Sequence, residues 1–597
     1  MDSICSRLID QAKTRPDAAA YWVKAGDGWE QTSWSTYAEQ VRTAARALIH
    51  LGVGKGEFVC ILGFNRPEWT ITDLATMSAG AVPAGIYTTC SAPEVSYIVN
   101  HCKASVIVLE DVGQWEKIKA ERENLPHLKH VVMMRGADPI DDEMVMTWDA
   151  FNALADNTPA STVDKRIDAI EAEDLATLIY TSGTTGPPKA VMLSHDTLSW
   201  TANQAIELLD VGPSDSSVSY LPLSHIAEQM FSVHIPVSCG EQIYFAESLA
   251  KIADNLKEVQ PTILFGVPRI WEKFYAAVNA KMKESTGLKA RIASWAQGVG
   301  RRANAVKNAG GTPGGLLGIQ YSLADKLVYS KVKPALGLGR ARLCVTGAAP
   351  ISKEIQEFFS GLDVLICEVY GQSEDCGPTS FNAPGRVRFG SVGPAFPGVE
   401  VRIAEDDEIM VRGRNVFMGY LHDEAATKDT LTDDGWLHTG DLGRFDDDGF
   451  LHITGRKKDI IITAGGKNIA PKNIELALTN HALISQAVVI GDRRKFLSAV
   501  LTLDPDAAAA FAKEHDLTGN ISEDPATIAA GRGGKQRAQG AAHARHARGA
   551  AHEHDLVHAR AVHAHAERVG GHEHRRAPLI VVALRAAASP RATTRVV

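Results

Sequence analysis

At 597 residues, with 45% apolar and 22% charged residues, the chain is long enough for two or more globular domains. No run reaches the roughly 18 apolar residues of a membrane span, and the start lacks the layout of a signal peptide, so we expect a cytoplasmic protein. The net charge is −9, yet Arg532 to Val597 hold eleven Arg and one Lys against three Glu and one Asp, which leaves −17 on the acidic remainder and argues against nucleic-acid binding.

Alternating strand and helix patterns fill the first part of the chain. A helix is predicted from Trp34 to Gly52, where Thr36 and Glu39 have the form of a capping box and the glycine marks the end. This alternation predicts an α/β fold with a largely parallel sheet. The eight scattered cysteines form no C-x-x-C pair and indicate buried, reduced thiols. The other early patterns are strands at 58–63, 105–109 and 130–134 and a helix at 67–79.

A loop rich in hydroxyls and glycine follows the strand pattern Ala176 to Tyr180. It reads Thr-Ser-Gly-Thr-Thr-Gly-Pro-Pro-Lys and ends at Lys189. Glycines let backbone N–H groups approach an anion, and the hydroxyls and the lysine complete a cradle for phosphate. The loop is not a Walker A motif, because Lys189 is not preceded by glycine and is followed by alanine. A surface turn that binds nothing is the alternative interpretation.

The order of residues in this loop resembles the signature loop of AMP-forming acyl- and aryl-adenylating enzymes, such as the acyl-CoA synthetases. That resemblance implies a large N-terminal adenylate-forming domain with mixed or parallel sheets and a small, mobile α+β C-terminal domain. It also implies that the loop binds ATP through Thr181, Ser182, Gly183, Thr184, Thr185, Gly186 and Lys189.

Two further segments resemble acyl-CoA synthetases. In Leu-Pro-Leu-Ser-His-Ile-Ala-Glu, the histidine is His225, and the family's histidine lies near the acyl carboxylate and the reacting phosphate. In Val-Pro-Arg-Ile-Trp-Glu-Lys, the tryptophan is Trp271, which the bubblegum-type long-chain enzymes use to help gate the acyl tunnel. On the residues alone, a capping histidine and a core tryptophan are the commoner roles. Residues 281–333 resemble the helical insertion of the long-chain members.

Two strand ends resemble the family's adenosine site. Small residues after the strand 342–346 would let a flat ring approach the backbone, and Tyr-Gly-Gln-Ser-Glu follows a buried strand at 364–369. By resemblance, Glu374 and Thr181 hold Mg2+, since one carboxylate with phosphate oxygens and waters is a usual magnesium site. The nucleotide-binding residues implied here are Gly347, Ala348, Ala349, Glu368, Tyr370, Gly371, Gln372 and Ser373.

The C-terminal motifs resemble the family's hinge. The motifs are Thr-Gly-Asp, which ends at Asp441, and Gly-Arg-Lys-Lys-Asp, which contains Arg456. The resemblance implies that Asp441 accepts both ribose hydroxyls, as a carboxylate can, and that Arg456 reaches ribose or phosphate. The resemblance makes Lys458 the pivot of the small domain and places Gly465 and Gly466 in the CoA channel. We therefore expect an adenylation domain over residues 1–456 and a truncated C-terminal domain over 457–529.

Residues 530–597 break the pattern. This Ala/Arg/His-rich tail has no Phe, Tyr or Trp and holds nine of the 21 histidines, so it cannot build a normal core. We expect it to be disordered or aberrant, and we interpret it as out-of-frame translation of a GC-rich gene, which resequencing the locus would test. The family's C-terminal lysine, which bridges the substrate carboxylate and the α-phosphate, has no counterpart after Lys535.

The resemblance implies a long-chain fatty acid–CoA ligase that converts ATP, fatty acid and CoA to acyl-CoA, AMP and pyrophosphate through an acyl-adenylate. Mg2+ would assist, and peripheral contact with a membrane is compatible with a lipid substrate. Two alternatives stay open. One is a fatty acyl-AMP ligase that feeds a carrier protein, and the other is an impaired acyl- or nucleotide-binding protein that lacks the C-terminal lysine.

Overall fold

The computed structural model describes residues 2–181, 186–464, 468–479, 481, 483–494, 496–514 and 579–584. These residues fall into two compact units. Unit 1 comprises residues 1–402, 410–439 and 445–451, and unit 2 comprises residues 403–409, 440–444 and 452–597.

Within the described part of unit 1, the largest sheet has eight strands. The six strands from Leu175–Thr181 to Val145–Thr147 run parallel, and the strand Lys189–Ser194 pairs antiparallel at one side. The sheet's core is almost wholly apolar, as strands covered on both faces require. In spatial order the strands are Gly419–Tyr420, Lys189–Ser194, Leu175–Thr181, Val82–Ile86, Phe58–Leu62, Val106–Leu109, His130–Met133 and Val145–Thr147.

The other strands that lie wholly in unit 1 form two smaller sheets. In each, three strands run parallel and the last is antiparallel. One has the order Ser216–Ser219, Gln242–Phe245, Ala19–Ala25 and Gly28–Ser33; the other has the order Ile263–Phe265, Leu343–Thr346, Ile366–Tyr370 and Ser380–Phe381. The residues of four further strands are divided between the units: Glu400–Ile403, Glu408–Arg412, Leu437–Phe445 and Leu451–Arg456.

Helices connect the parallel strands, as crossover connections between parallel strands require. The predicted α/β fold is therefore confirmed. The α-helices of unit 1 are Ile4–Thr14, Trp34–His50, Pro67–Ser78, Ala92–His101, Val112–Ala120, Trp148–Ala153, Ala160–Asp168, His195–Leu209, Ile226–Gln229, Ile235–Cys239, Ile252–Val259, Pro268–Glu284, Gly287–Asn308, Gly315–Ala324, Ser330–Ala335, Lys353–Gly361 and Glu424–Thr430. Short 3-10 helices lie at Arg122–Asn124, Leu154–Asn157, Leu249–Lys251 and Ser373–Asp375, and π-helical turns lie at Met230–His234 and Asp325–Tyr329.

One predicted helix cap is wrong. The helix Trp34–His50 is capped by Ser33, whose hydroxyl accepts from the Thr36 N–H, rather than by a box at Thr36 and Glu39. The helix begins at Trp34 as predicted, so Thr36 and Glu39 lie inside its first turns rather than at its cap. None of the described helices is both long and apolar enough to cross a bilayer. All eight cysteines are free, and six are buried.

Unit 2 contains a small mixed structure. The 3-10 turn Lys457–Asp459 precedes a hairpin of Ile461–Ile462 and Asn468–Ile469. The helices Pro471–Thr479 and Pro505–Glu514 share an apolar core with an antiparallel pair of strands, Ile484–Ile490 and Leu497–Leu503. The expectation that the tail lacks structure is wrong for one segment, because Leu579–Leu584 pairs antiparallel with Leu497–Leu503. Its run Leu-Ile-Val-Val-Ala-Leu has high strand propensity.

Asp73 is a buried acid inside the helix Pro67–Ser78. It is 0% exposed, and neither carboxylate oxygen has a hydrogen-bond partner among the described groups. Burial raises the pKa of Asp73 from 3.8 to about 8. Between these two values the folded chain holds a proton that the unfolded chain has lost, so Asp73 makes the protein less stable as the pH rises.

We therefore expect Asp73→Asn to raise the free energy of unfolding at pH 8 by roughly 1–3 kcal/mol, with a gain that shrinks toward pH 4. Urea unfolding at several pH values measures this. The control is Asp149→Asn, since the Asp149 side chain is 85% exposed. A gain that is the same at every pH would contradict the explanation.

Candidate active site

The signature loop is the connection of a β-hairpin. Thr181 ends one strand and Lys189 begins the next, and the two residues lie opposite each other in the antiparallel register. The Thr181 hydroxyl donates to the Lys189 carbonyl at 3.5 Å. Gly186 has φ +107°, a conformation that favours glycine. The predicted binding residues Ser182, Gly183, Thr184 and Thr185 lie outside the described residues.

Tyr420 contacts both Lys189, the lysine that ends the loop, and Glu374, the carboxylate predicted to bind Mg2+. It lies on the short strand Gly419–Tyr420, which pairs antiparallel with the strand that begins at Lys189. The Lys189 Nζ lies 4.7 Å from the Tyr420 ring centroid, and the Tyr420 hydroxyl donates to Glu374 Oε1 at 2.8 Å. Burial, and next the Glu374 charge, raise the pKa of Tyr420, so its hydroxyl stays protonated and donates.

This arrangement brings Lys189 and Glu374, 185 positions apart in the chain, to one phenol, with Lys189 over its ring and Glu374 at its hydroxyl. Sequence reasoning did not identify Tyr420. Its only local signal is an aromatic residue after Phe-Met-Gly, which is also typical of a core residue.

Glu374 is the residue that could hold a divalent cation here. It is half-buried in the 3-10 turn Ser373–Asp375, and its backbone carbonyl accepts from the Phe417 N–H at 2.8 Å. Among the described residues, no group of three or more His, Cys, Asp or Glu could enclose a metal ion. A single carboxylate beside a phosphate loop therefore fits Mg2+ that takes its other ligands from phosphate and water.

The predicted adenosine site lies at the ends of parallel strands. The strands Ile263–Phe265, Leu343–Thr346 and Ile366–Tyr370 run parallel, so their carboxyl ends share one edge, where α/β proteins bind ligands. Each strand is followed directly by a glycine. At Gly347, a Cβ would lie 2.7 Å from Val369 Cγ1, so a larger residue would push the neighbouring strand away.

The turn after Thr346 is exposed and strained. Ala348 has φ +63°, which disfavours any residue but glycine by about 1 kcal/mol. Ala348 and Ala349 are exposed, so their backbone is open to a flat ring. On the next strand, Tyr370 is half-buried, and Gln372 donates from Nε2 to the Thr439 carbonyl at 2.7 Å.

Glu368 supports this turn from inside. Its Oε1 accepts from the Ile351 N–H at 3.3 Å, and its Oε2 accepts from Gln356 Nε2 at 3.4 Å. The side chain is buried, and burial raises the pKa of Glu368 to about 8. These contacts fit a positioning residue for the turn that Ile351 closes. Direct contact between Glu368 and a nucleotide stays a prediction.

Gly371 tolerates no side chain. A Cβ at this position would lie 1.4 Å from the Gly377 carbonyl oxygen, which belongs to backbone. We expect Gly371→Ala to lower the free energy of unfolding by about 1–3 kcal/mol or more, because the end of the strand Ile366–Tyr370 must move. We expect the same shift to abolish ATP binding. Thermal unfolding and calorimetry measure the two effects. The control is Gly298→Ala, which meets nothing within 4 Å and lies in a helix; equal effects at both sites would contradict the prediction.

His225 is fixed in one tautomer. It caps the helix Ile226–Gln229, and its Nδ1 accepts from the Ala227 N–H at 3.1 Å. The ring proton of a neutral imidazole must then lie on Nε2, which becomes a hydrogen-bond donor. Burial lowers the pKa of His225, so the ring is neutral at pH 7.

A buried carboxyl holds the turn that carries His225. Glu228 Oε1 receives hydrogen bonds from Ser219 Oγ at 2.7 Å, Ser232 Oγ at 2.8 Å, Asn65 Nδ2 at 3.1 Å and the Tyr220 N–H at 3.1 Å. Burial raises the pKa of Glu228 to about 8. Sequence reasoning did not identify this network; the glutamate three residues after the histidine was its only signal.

Trp271 is fully buried. Its Nε1 donates to the Gly266 carbonyl at 2.9 Å, and its ring packs edge-on against Phe274 and Phe359. This position fits a packing residue in the apolar core. The role of Trp271 as an acyl gate stays a prediction.

Unit 2 contains the predicted hinge residues. Arg456 Nε lies 3.4 Å from Asp441 Oδ1, so the predicted ribose pair is brought together. The next residue, Lys457, pairs with Asp406 at 2.6 Å and Glu408 at 3.0 Å, whereas Lys458 is exposed. A Cβ on Gly455 would lie 3.0 Å from Ala470 Cβ. Gly465 and Gly466 lie outside the described residues.

Two family models match the chain. One, described as AMP-binding enzyme, matches residues 8–421, and the other, described as AMP-binding enzyme C-terminal domain, matches residues 458–525. The long-chain-fatty-acid–CoA ligase ACSBG2 of Xenopus laevis is 43% identical over 500 residues, which cover 82% of this chain and 67% of that protein. The human long-chain-fatty-acid–CoA ligase ACSBG1 is 40% identical, with 85% and 71% covered.

Solved structures share the fold. The anthranilate CoA ligase AuaEII in complex with anthranoyl-AMP has a TM-score of 0.65 at 22% identity and covers 90% of both chains. The A domain of carboxylic acid reductase from Segniliparus rugosus has a TM-score of 0.69 at 19% identity and covers 90% of this chain and 86% of its own.

Proposed function

Since this chain belongs to the AMP-binding enzyme family, we propose that it is an ATP-dependent long-chain fatty acid–CoA ligase. Its substrates would be ATP, a long-chain fatty acid and CoA, and its products acyl-CoA, AMP and pyrophosphate. Relatives about 40% identical carry that activity in their names. The observation that carries the proposal is that Lys189 and Glu374 both contact Tyr420, one over its ring and the other at its hydroxyl, beside the phosphate-type loop.

In the first half-reaction the fatty carboxylate attacks the α-phosphorus of ATP, and pyrophosphate leaves. Lys189 would offset negative charge on the phosphates, and the N–H groups and hydroxyls of the loop from Thr181 to Gly186 would orient them. Glu374 and Thr181 would hold Mg2+, which when bound withdraws charge from the phosphate oxygens. His225 would donate from Nε2 to the carboxylate or the α-phosphate.

The nucleotide's base and sugar have separate binding residues in this proposal. Adenine would stack on Tyr370 and lie against Gly347 and the exposed Ala348 and Ala349, with Gly371, Gln372 and Ser373 beside it. Asp441 would accept the ribose hydroxyls, and Arg456 would reach ribose or phosphate. Two observations support these assignments. Ala348 and Ala349 are exposed after the strand Leu343–Thr346, and Arg456 Nε lies 3.4 Å from Asp441 Oδ1.

In the second half-reaction the CoA thiol attacks the acyl carbon of the adenylate, and AMP leaves. We assign residues 1–456 to adenylation, 457–529 to a small domain that turns about Lys458, and 530–597 to an aberrant tail. The exposure of Lys458 in a 3-10 turn supports its role as pivot. Gly465 and Gly466 would line the CoA channel, and Trp271 would gate the acyl tunnel.

The test measures pyrophosphate release with palmitate and ATP, with and without CoA, together with the products. Palmitoyl-CoA supports the proposal. Adenylate without thioester would instead indicate an acyl-AMP ligase for a carrier protein, and absence of turnover with intact ATP binding would indicate an impaired binding protein.

His225 offers a test that separates catalysis from folding. Asparagine is a good N-cap but has no donor at the Nε2 position, so His225→Asn should keep the helix cap and lose the donor. We expect pyrophosphate release to fall about 10²-fold, with a melting temperature near that of the parent. His225→Ala should lose both, with an extra loss of about 0.5–2 kcal/mol in stability.

The pH profile gives a second readout. Protonation would turn His225 Nδ1 from an acceptor into a donor that faces the Ala227 N–H, and because the pKa of His225 is lowered, any loss of rate from this change should be centred below the ordinary histidine pKa of about 6.5. A loss of rate centred at 6.5 that is absent in His225→Asn would contradict a neutral His225.

A further inference from the structure

The helix Gly315–Ala324 and the π-helical turn Asp325–Tyr329 that continues it are apolar on two opposite sides. The inner side packs through Leu317, Tyr321 and Ala324 into a cluster around Ala296 and Val299. The outer side of a surface helix is normally polar. Here it exposes four aliphatic side chains: Leu316 at 71%, Ile319 at 68%, Leu323 at 49% and Leu327 at 39%.

We call these four residues the apolar stripe. Their spacings of three, four and four residues place them along one face of the helix. Single exposed leucines are ordinary on a protein surface, but a row of four along one helix face is a patch of the kind that marks an interaction site.

Basic residues are frequent in the chain segment that contains the stripe. Residues 287–335 contain eight Lys or Arg and one acid, Asp325, in a chain whose net charge is −9. Among the described ion pairs, Lys307 and Lys333 are the basic residues of this segment that are paired, both with Asp363. Lys326 and Lys331 are exposed on the same run as the stripe.

Arg302 adds a cation beside the helix. Its Nη2 donates to Gln320 Oε1 at 3.0 Å, so the guanidinium lies against the element that carries the stripe. The patch therefore combines aliphatic side chains with unopposed positive charge, on a body that is otherwise acidic.

We propose that the apolar stripe docks on an anionic lipid surface. The helix would lie in the plane of the interface, with the stripe among the acyl chains and Lys326, Lys331 and Arg302 at the headgroup phosphates. In a symmetric contact between two copies, the cations around the stripe would face the same cations of the other copy and repel them, whereas an anionic bilayer would attract them. The inference rests on the proposed function, since a long-chain fatty acid partitions into bilayers and a docked enzyme would collect it there.

Vesicle flotation with the full-length chain tests the proposal without any substrate. Vesicles of phosphatidylglycerol and phosphatidylcholine should bind the parent, and Ile319→Ser combined with Leu323→Ser should weaken binding about tenfold or more. The control is Leu249→Ser, which removes a leucine that is 66% exposed elsewhere in unit 1. It should bind as the parent does.

A second pair of substitutions, Lys326→Glu combined with Lys331→Glu, tests the contribution of positive charge to vesicle binding. This variant should weaken binding to the anionic vesicles by about fivefold or more per residue and leave binding to pure phosphatidylcholine unchanged. The control is Lys251→Glu combined with Lys257→Glu, two lysines more than half exposed in another helical segment. Equal melting temperatures for all variants exclude misfolding, because every position is on the surface.

Two outcomes would overturn the proposal. Stripe variants that bind like the parent would show that another surface, such as the basic segment Arg532 to Val597, carries the binding. A parent that sediments as a dimer and a stripe variant that sediments as a monomer would make the stripe a contact between copies. Acyl-CoA formation from palmitate delivered by cyclodextrin, without vesicles, tests the proposed function separately.

Discussion

Exchanging residues 530–597 for the C-terminal segment of the human relative is expected to raise pyrophosphate release from palmitate and ATP by about 10²–10³-fold. The physical reason is that the present chain has no lysine after Lys535, whereas the family places one there to bridge the substrate carboxylate and the α-phosphate. A preorganised donor at developing charge typically contributes a rate factor on the order of 10²–10³.

The control for this exchange is the same chimera with that single lysine replaced by alanine. It should release pyrophosphate as slowly as the present chain while binding ATP as tightly as the chimera. Calorimetry gives the affinity and a coupled assay gives the rate. If the alanine chimera is fast, or the present chain already adenylates palmitate at the chimera's rate, the tail is not the cause of impaired chemistry.

Glu374→Gln is expected to have the second large effect. Glutamine keeps the shape and can still accept from the Tyr420 hydroxyl, which lies 2.8 Å from Glu374 Oε1. It removes the negative charge that would hold Mg2+. We expect a fall of about 10²–10³-fold in pyrophosphate release by the chimera and weaker binding of ATP in the presence of Mg2+.

Tyr420→Phe is the matched variant for this prediction. It removes the hydroxyl that donates to Glu374 but leaves the ring over Lys189, whose Nζ lies 4.7 Å from the ring centroid. Its rate should fall less than that of Glu374→Gln, since a hydrogen bond to a charged group contributes about 1.5–3 kcal/mol and the carboxylate itself stays in place. A rate unchanged in Glu374→Gln, or a larger fall in Tyr420→Phe, would place the metal site elsewhere.

The composition of the tail and its one described strand lead to different expectations about its structure. Its composition led to the expectation of no structure, and the strand Leu579–Leu584 contradicts that for six residues. Six apolar residues suffice to extend a sheet edge whatever their origin, because an edge strand offers unpaired backbone groups to any neighbour of high strand propensity. Pairing at that edge therefore does not test whether the tail is read in frame.

Local signals predicted the elements of this fold well. The strands at 58–62, 106–109 and 343–346 and the helix at 67–78 begin and end within a residue or two of their predicted bounds. Apolar runs and glycine stops act over a few residues and need no distant partner. The predicted cap of the helix Trp34–His50 was wrong because Ser33, directly before the helix, accepts from the Thr36 N–H.

The candidate site also contains some features that the sequence predicted and others that only the tertiary structure shows. The sequence by itself identified the hydroxyl-rich loop before Lys189 and the small residues after the strand 342–346, because each lies in one short motif. The pair of Asp441 and Arg456 was implied by the resemblance of two separate motifs, and the two side chains lie 3.4 Å apart. Only the tertiary structure decided that Tyr420 lies beside Lys189, that Asn65 reaches Glu228, and that Glu368 turns inward. The reason is that strand order in a sheet does not follow chain order. The strand Gly419–Tyr420 adds beside Lys189–Ser194 although more than 220 residues separate them, and no local pattern specifies that neighbour.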